Sequence, residues 1–543
     1  MAAFTPSPYQ QALFDFIATG TGSAIVKAVA GSGKTTSVIK CLPFIPEGNN
    51  VQLFAFNTTI AKELNVRIDA LRTETGRAFA GVRASTFHSA GYGVVRFYLQ
   101  RQGVTMQDPD SNKLRNLCKG WVEERINAAP EGQRDEVRAQ ALSDMSTYGS
   151  FICKLVGLAK GEGLGVLVGS DDWRWMDLIS HHDLSFDVEG ADEATAVRMA
   201  QALLVRSNNA AKGGYIDFDD QLYLPLLWKL RLRQNDFVFC DESQDVSPVR
   251  RAILKLCLRP GGRLIAVGDE KQSIFGFAGS APDAMAQIAR EFSCRELPLT
   301  VSYRCSRAVV AKAQALVPYI ESAASADEGL VETLAQVDAL EALTTQDAIL
   351  CRNTAPLVKL AFQLIAAGRG CTILGRDIGK GLVDLIEKQR ARGVDGLIEK
   401  LTAYQLKEVA KYTAKGEEQK AESLVDRIDC IRSVAESMPQ GAGRTVPALV
   451  ARLTGLFGDA KGVLTLCTVH KSKGLEWHRV AVLEPELMPS KWARQDWQQE
   501  QERNLQYVAW TRAKSHLIEI KTNAEPRANK DGVAGGHGNK RAA

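Results

Sequence analysis

Two short stretches carry residues that could handle phosphate. A28-V-A-G-S-G-K-T-T36 sets a lysine and two hydroxyls directly after two glycines, and F237-V-F-C-D-E-S-Q-D245 sets two carboxylates directly after an apolar run. A phosphate loop needs main-chain N–H groups turned inward at a helix N-terminus, a lysine for the terminal phosphates and a hydroxyl for Mg²⁺. Ala30, Gly31, Ser32, Gly33, Lys34 and Thr35 supply these groups, with Thr36 next in line. The strict pattern has glycine six residues before the lysine, where this chain has Ala28. Alanine is accommodated if its φ is negative, and no ligand group is lost. Asp241 would hold Mg²⁺, directly or through water, and Glu242 would orient and deprotonate an attacking water. The bland alternative is that Asp241 and Glu242 only cap the helix starting at Ser247.

Both stretches must sit at strand ends for this to work. I25-V-K-A-V29, V51-Q-L-F-A-F56, D236-F-V-F-C240 and R263-L-I-A-V-G268 read as strands, alternating with helical patterns at 34–41, 59–68 and 247–256. A second set appears at D347-A-I-L-C351, V463-L-T-L-C-T-V469, R479-V-A-V-L483 and H516-L-I-E-I520. The fold class expected is α/β, with two parallel-sheet domains, each interrupted by a mainly helical insertion, the architecture that the family resemblance described below implies to be RecA-like. The expected division is 1–94 and 206–298 for the first sheet domain, around an insertion at 95–205. The second sheet domain takes 299–376 and 456–523, around a smaller insertion at 377–455, and a disordered tail follows at 524–543.

Composition narrows the classes. The chain of 543 residues is too long for one core, and its 45% hydrophobic content argues for a globular fold. Net charge is only +4, so any nucleic-acid surface must come from local clustering. Eleven cysteines without a C-x-x-C pair read as reduced thiols, mostly small core residues, rather than a disulfide framework or a zinc or iron–sulfur site. The N-terminus shows no export signal and no apolar run is long enough to span a membrane, so a soluble cytoplasmic protein is expected, nucleoid-associated or in the host cytoplasm if phage-encoded.

Further motifs follow the same order as in one family. S7-P-Y-Q10, the phosphate loop, L53-F-A-F-N-T-T59, S85-T-F-H-S-A-G91, D241-E-S-Q-D245, G268-D-E-K-Q-S-I-F-G-F277, V301-S-Y-R304, T468-V-H-K-S-K-G-L-E476 and Y507-V-A-W-T-R-A-K514 together resemble the UvrD/Rep type of superfamily 1 DNA helicases. The resemblance implies that Gln10 reads the adenine edge, Tyr303 stacks on the base, and Glu476, beside Gly474, accepts from the ribose hydroxyl. Gln272 follows a strand next to the acid-bearing one, so its amide could reach the γ-phosphate and report hydrolysis to Phe275 and Phe277. Those rings are either base-stacking platforms, worth about 1–3 kcal/mol each, or ordinary core aromatics. Arg304 and Arg512 come from the second set, and if both domains flank one ATP they stabilise charge on the transferring phosphoryl group. Alone, either is equally a solvated surface arginine.

A single-strand track is expected over Phe56, Asn57, Thr86, Phe87, His88, His470, Lys471 and Ser472, which mix aromatic, hydroxyl and basic groups. His88 and His470 are alternatively hydrogen-bonded core histidines. Several departures from the family stand out: Ser243 replaces the commoner alanine, Thr36 stands where relatives carry arginine, the second insertion is short, and no nuclease module follows residue 520. The implied function is a monomeric ATP- and Mg²⁺-dependent motor on single-stranded DNA and single/double-strand junctions, moving 3′ to 5′ and unwinding duplex. The alternatives are a translocase that displaces bound proteins with little unwinding, and a nucleotide switch that binds a protein partner of unknown identity and moves on nothing.

Overall fold

A computed structural model describes residues 4–182, 184, 191–274, 283–414, 418–441, 443–458 and 462–521. The chain divides into two compact units. Unit 1 holds Met1–Arg304, Tyr319–Ala323 and Tyr412–Glu418; unit 2 holds Cys305–Pro318, Ala324–Lys411 and Gln419–Ala543. Tyr303 and Arg304 therefore fall in unit 1, not with the second α/β set as the sequence suggested.

The sheet of unit 1 contains β1 (Ala24–Ala28), β2 (Val51–Ala55), β3 (Val82–Thr86), β4 (Asn235–Cys240), β5 (Leu258–Gly268) and β6 (Arg295–Leu299). Its order is β3-β2-β4-β5-β1-β6 and every pairing is parallel. Central strands β2 and β4 are buried along their whole length, as a parallel sheet covered on both faces requires. The parallel register aligns the ends of β1, β4 and β5, which sets the phosphate loop beside the acid pair and the turn after Gly268. A two-strand ribbon follows, β7 (Val301–Ser302) with β8 (Glu321–Ser322).

Between β3 and β4 the chain is helical, with long helices at Lys113–Ala128, Arg134–Glu162 and Glu193–Lys212. Their shared core runs from Val95 through Leu155 and Trp175 to Tyr223 and Leu230, past the expected end at 205. Four charged groups lie inside it. Lys160 Nζ donates to Asp217 Oδ2 at 2.6 Å and Asp220 Oδ1 at 2.7 Å, and Lys113 Nζ to Asp220 Oδ2 at 2.5 Å. Burial of ions is tolerated here because each is paired.

Unit 2 has β9 (Leu330–Ala335), β10 (Ala348–Cys351), β11 (Cys371–Ile373), β12 (Leu464–Thr468), β13 (Trp477–Leu483) and β14 (Ala513–Lys521), in the order β11-β12-β10-β13-β14-β9 and again parallel throughout. Helices Arg376–Lys388, Val394–Ala414, Glu418–Glu436 and Val446–Leu456 occupy the stretch between β11 and β12. Among the described residues no helix is long and apolar enough to cross a membrane.

Candidate nucleotide site

Ala28 is the last residue of β1 and pairs with Leu299 of β6, so the position where a strict loop has glycine is extended strand that alanine fills without strain. The loop then turns through Gly31 at φ 73° and Gly33 at φ 75°, conformations that favour glycine. Gly33 caps the helix Lys34–Cys41 without any side-chain bond, which leaves the first N–H groups of that helix to an anion. Gly31 is needed for a second reason. A Cβ there would stand 2.5 Å from Arg304 Cβ and 2.7 Å from Ser302 Oγ, and Tyr303 N–H donates to Gly31 O at 2.8 Å. The residues after β7 are thus docked on the phosphate loop. Ser32 is 2% exposed and its hydroxyl has no bonded partner among the described residues.

At the ends of β4 and β5, three carboxylates gather around the lysine. Lys34 Nζ lies 3.2 Å from Glu242 Oε2, and Thr35 Oγ1 donates to Asp241 Oδ2 at 3.0 Å. Burial alone would lower the Lys34 pKa, but the charges of Glu242, Asp269 and Asp241 outweigh it and hold the ammonium above its usual range. Burial, reinforced by Glu242, pushes Asp241 up to about 6; burial does the same to Asp269, also to about 6. Glu242 has φ 51° and ψ 43°, a left-handed backbone unusual for glutamate and of a kind that gathers at functional sites. Gln272 is 6% exposed and donates to Asp269 Oδ2 at 2.7 Å, which sets it beside the lysine's carboxylates.

Sequence reasoning passed over two members of this centre. Gln244 donates to Glu242 Oε2 and accepts from Asp269 N–H at 3.0 Å, tying the end of β4 to the end of β5. Asp269 lies within the segment G268-D-E-K-Q-S-I-F-G-F277, where its type alone does not set it apart from Glu270 beside it. Both stood inside segments already singled out, so the only missing signal was three-dimensional.

Gln10, 2% exposed, closes a capping box with Ser7, donates to Ser37 Oγ at 3.0 Å and accepts from Tyr303 Oη at 3.3 Å. Tyr303 itself is 48% exposed, leaving its ring face open. Thr36 Oγ1 accepts from Arg67 at 3.4 Å, so a guanidinium does stand next to the loop, supplied from another helix.

In unit 2, Arg512 is 1% exposed and donates to Val508 O and Leu475 O, both at 3.1 Å. That second bond brings it to the turn bearing Gly474, at φ 86°, and Glu476, which pairs with Lys514 at 2.7 Å.

The expected DNA residues divide. Phe56 is 38% exposed, with the Arg250 guanidinium 4.5 Å over its ring; Arg250, on the helix after the acid pair, was not singled out from sequence. His88 is half-buried, and burial together with Arg250 lowers its pKa to about 4. Asn57 caps the helix Thr58–Thr75 through its side chain. Three expected contacts are instead structural. Thr86 caps the helix Phe87–Arg101, Phe87 is 3% exposed and stacks on Phe54 at 4.3 Å, and Ser472 is fully buried with its hydroxyl on Val469 O. A ring packed into the sheet offers no face to a base. Burial, Arg352 and Lys473 hold His470 at about 3, so it is neutral, and Lys471 pairs with Asp377 at 2.8 Å. Phe275 and Phe277 lie outside the described residues.

The UvrD/REP helicase N-terminal domain matches residues 10–293 and the UvrD-like helicase C-terminal domain matches residues 403–524. The chain is 23% identical over 337 residues to ATP-dependent DNA helicase Rep of Escherichia coli, covering 57% of this chain and 43% of Rep. It is 24% identical over 564 aligned positions to ATP-dependent DNA helicase UvrD2 of Mycobacterium tuberculosis, covering 91% of this chain and 76% of that protein. Against ATP-dependent DNA helicase srs2 of Schizosaccharomyces pombe the figures are 25% over 306 residues, 54% and 32%. The chain thus spans less than half the length of Rep and about three quarters of UvrD2. With the N-terminal match alone running through more than half of the 543 residues, and a phosphate loop and acid pair set at one sheet edge, the chain belongs to the UvrD/REP helicase family.

Proposed function

We propose that the chain is an ATP-dependent DNA helicase that moves along single-stranded DNA, 3′ to 5′, and separates duplex. The observation that carries the reading is the pairing of Thr35 with Asp241 and of Lys34 with Glu242 across the ends of β1 and β4, the two strands that flank β5. A hydroxyl and a carboxylate offer hard oxygen donors of the kind Mg²⁺ takes alongside substrate phosphates, so the donor set fits that cation. When bound, it supplies neutralisation of phosphate charge. The chain's own groups do the rest. The loop N–H groups and Lys34 bind and orient the phosphates, Gln10 and Tyr303 hold the base, and Glu242 takes the proton of the attacking water. Gln272 and Arg304 face the developing charge, and Arg512, Gly474 and Glu476 take their proposed roles from their motifs alone.

The test is ATP hydrolysis with and without single-stranded DNA, followed by unwinding of 3′- and 5′-tailed duplexes. Stimulation by DNA and preference for the 3′ tail are expected, and Lys34→Ala should lower turnover by roughly 100- to 1000-fold or more. Hydrolysis indifferent to DNA would overturn the reading. Translocation without strand separation would reduce it to displacement of bound proteins.

A further inference from the structure

Two cysteines of the helical stretch in unit 1 meet outside the nucleotide site. Cys118, on the helix Lys113–Ala128, and Cys153, on the adjacent helix Arg134–Glu162, bring their sulfurs to 3.8 Å. Cys118 is 6% exposed, whereas Cys153 is partly exposed, and both line a cavity of about 680 Å³ that opens to solvent. Arg115, Lys119 and Arg138 line the same cavity with one carboxylate, Glu123, a net cationic lining that favours a thiolate. The hydrogen bond from Cys118, with Arg115 nearby, lowers the Cys153 thiol below its ordinary value despite burial; sharing that bond with Cys153, together with burial, pushes Cys118 up. Cys153 is the sulfur that solvent reaches and Cys118 is the buried one beside it at 3.8 Å, the arrangement that a reactive and a resolving thiol need.

We propose that Cys118 and Cys153 are an oxidation site at which a hydroperoxide closes a reversible disulfide between the two helices. The Cys153 thiolate attacks one peroxide oxygen. An S–O bond forms, the O–O bond breaks, and the leaving group, hydroxide from hydrogen peroxide or alkoxide from an organic hydroperoxide, takes up a proton to depart as water or as an alcohol. Cys118 then attacks the Cys153 sulfur: the S–S bond forms, the S–O bond breaks, and the sulfenic hydroxyl leaves as water with the Cys118 proton. Two thiols lose two electrons and the peroxide is reduced by two. A dithiol reductant reverses the change. Cys294 and Cys371, also partly exposed, contact the main-chain carbonyls of Ile288 and Ala361 and serve as internal comparisons.

The experiment treats the full chain with hydrogen peroxide, alkylates remaining thiols and maps peptides by mass spectrometry. A Cys118–Cys153 cross-linked peptide, lighter by two hydrogens and released by dithiothreitol, is expected before Cys294 or Cys371 is modified. Cys118→Ser should let Cys153 stop at a sulfenic acid that dimedone captures, and this arm does not depend on the disulfide forming. The proposal fails if wild-type Cys153 proceeds to sulfinic acid without the cross-link, or if both thiols remain alkylatable when Cys294 or Cys371 is already oxidised.

Discussion

Tyr9 Oη donates to Glu321 Oε1 at 2.7 Å, and Thr300 Oγ1 donates to the same oxygen at 2.6 Å. Tyr9 precedes Gln10, and Glu321 lies on β8, whose partner β7 leads directly into Tyr303 and Arg304. One carboxylate thus ties the helix bearing Gln10 to the ribbon that leads into Tyr303, the two residues proposed to hold the base, and bonds from Thr300 and then Tyr9 hold its pKa below the usual range. Tyr9→Phe and Glu321→Gln should each raise KM for ATP by roughly 2- to 10-fold, the worth of one hydrogen bond, with little change in kcat. Steady-state ATPase measurements check this; a fall in kcat at constant KM would mean the ribbon acts on chemistry and not on the base.

Gln244 braces Glu242, the proposed general base, without itself needing to touch nucleotide. Its amide joins Glu242 to the Asp269 main chain, and Glu242 sits on a left-handed backbone that such a brace must hold. Gln244→Ala frees the general base and strands a buried N–H. We expect kcat to drop by about 10- to 100-fold, a loss of roughly 1.5–3 kcal/mol, while KM for ATP stays within twofold. A rise in KM alone would make Gln244 a nucleotide contact.

How far the sequence exposed this fold depends on where each strand lies. The strands readable as apolar runs, β1, β2, β4 and β5 in unit 1 and β10, β12, β13 and β14 in unit 2, are the inner ones of their sheets. Within these two six-stranded sheets the four that escaped, β3, β6, β9 and β11, are the edges. Inner parallel strands are covered on both faces and need continuous apolar sequence, whereas edges tolerate the arginine of V82-R-A-S-T86, the proline of R295-E-L-P-L299 and the three-residue length of β11. The phosphate loop and acids were legible because each lies on an inner strand end. Phe87 misled because aromatic type says nothing of direction: as the first residue of its helix it turns back onto Phe54. Arg250 was invisible because its partner ring, Phe56, is remote in sequence.

His88 is neutral at physiological pH, since burial and the Arg250 charge hold it near 4. If it meets DNA, it does so as a neutral hydrogen-bonding ring. Affinity for single-stranded DNA at fixed salt should therefore gain nothing from His88 as pH falls from 7.5 to 6, and His88→Asn should leave the salt dependence unchanged. Stability has the opposite sensitivity. The folded pKa is depressed, so the unfolded chain protonates first and this histidine's contribution is lost as pH falls from about 6.5 toward 4. Fluorescence anisotropy at both pH values decides the binding claim: tighter binding at pH 6 that His88→Asn removes would show a charged contact.

Asp220 is the hinge of the buried charge cluster. Its two oxygens take Lys113 and Lys160, its N–H donates to Asp217 Oδ1 at 2.8 Å, and Oδ2 also accepts from Asp217 N–H at 2.9 Å. Both lysines are fully buried, and Ser207 provides their other bonds, through its carbonyl to Lys113 and its hydroxyl to Lys160. Asp220→Ala leaves two ammonium groups in the helical core with one carboxylate, Asp217, which contacts only Lys160. Removing one partner of a buried pair costs about 3–5 kcal/mol, because the remaining charge stays desolvated. Urea unfolding of the full chain should show the transition that reports the helical core shifted to lower denaturant by that amount. Asp220→Asn, which keeps the shape and one acceptor, should lose less. Equal midpoints for wild type and Asp220→Ala would mean that the lysines reach water when unpaired, and that the cluster fixes the geometry of these helices without stabilising them.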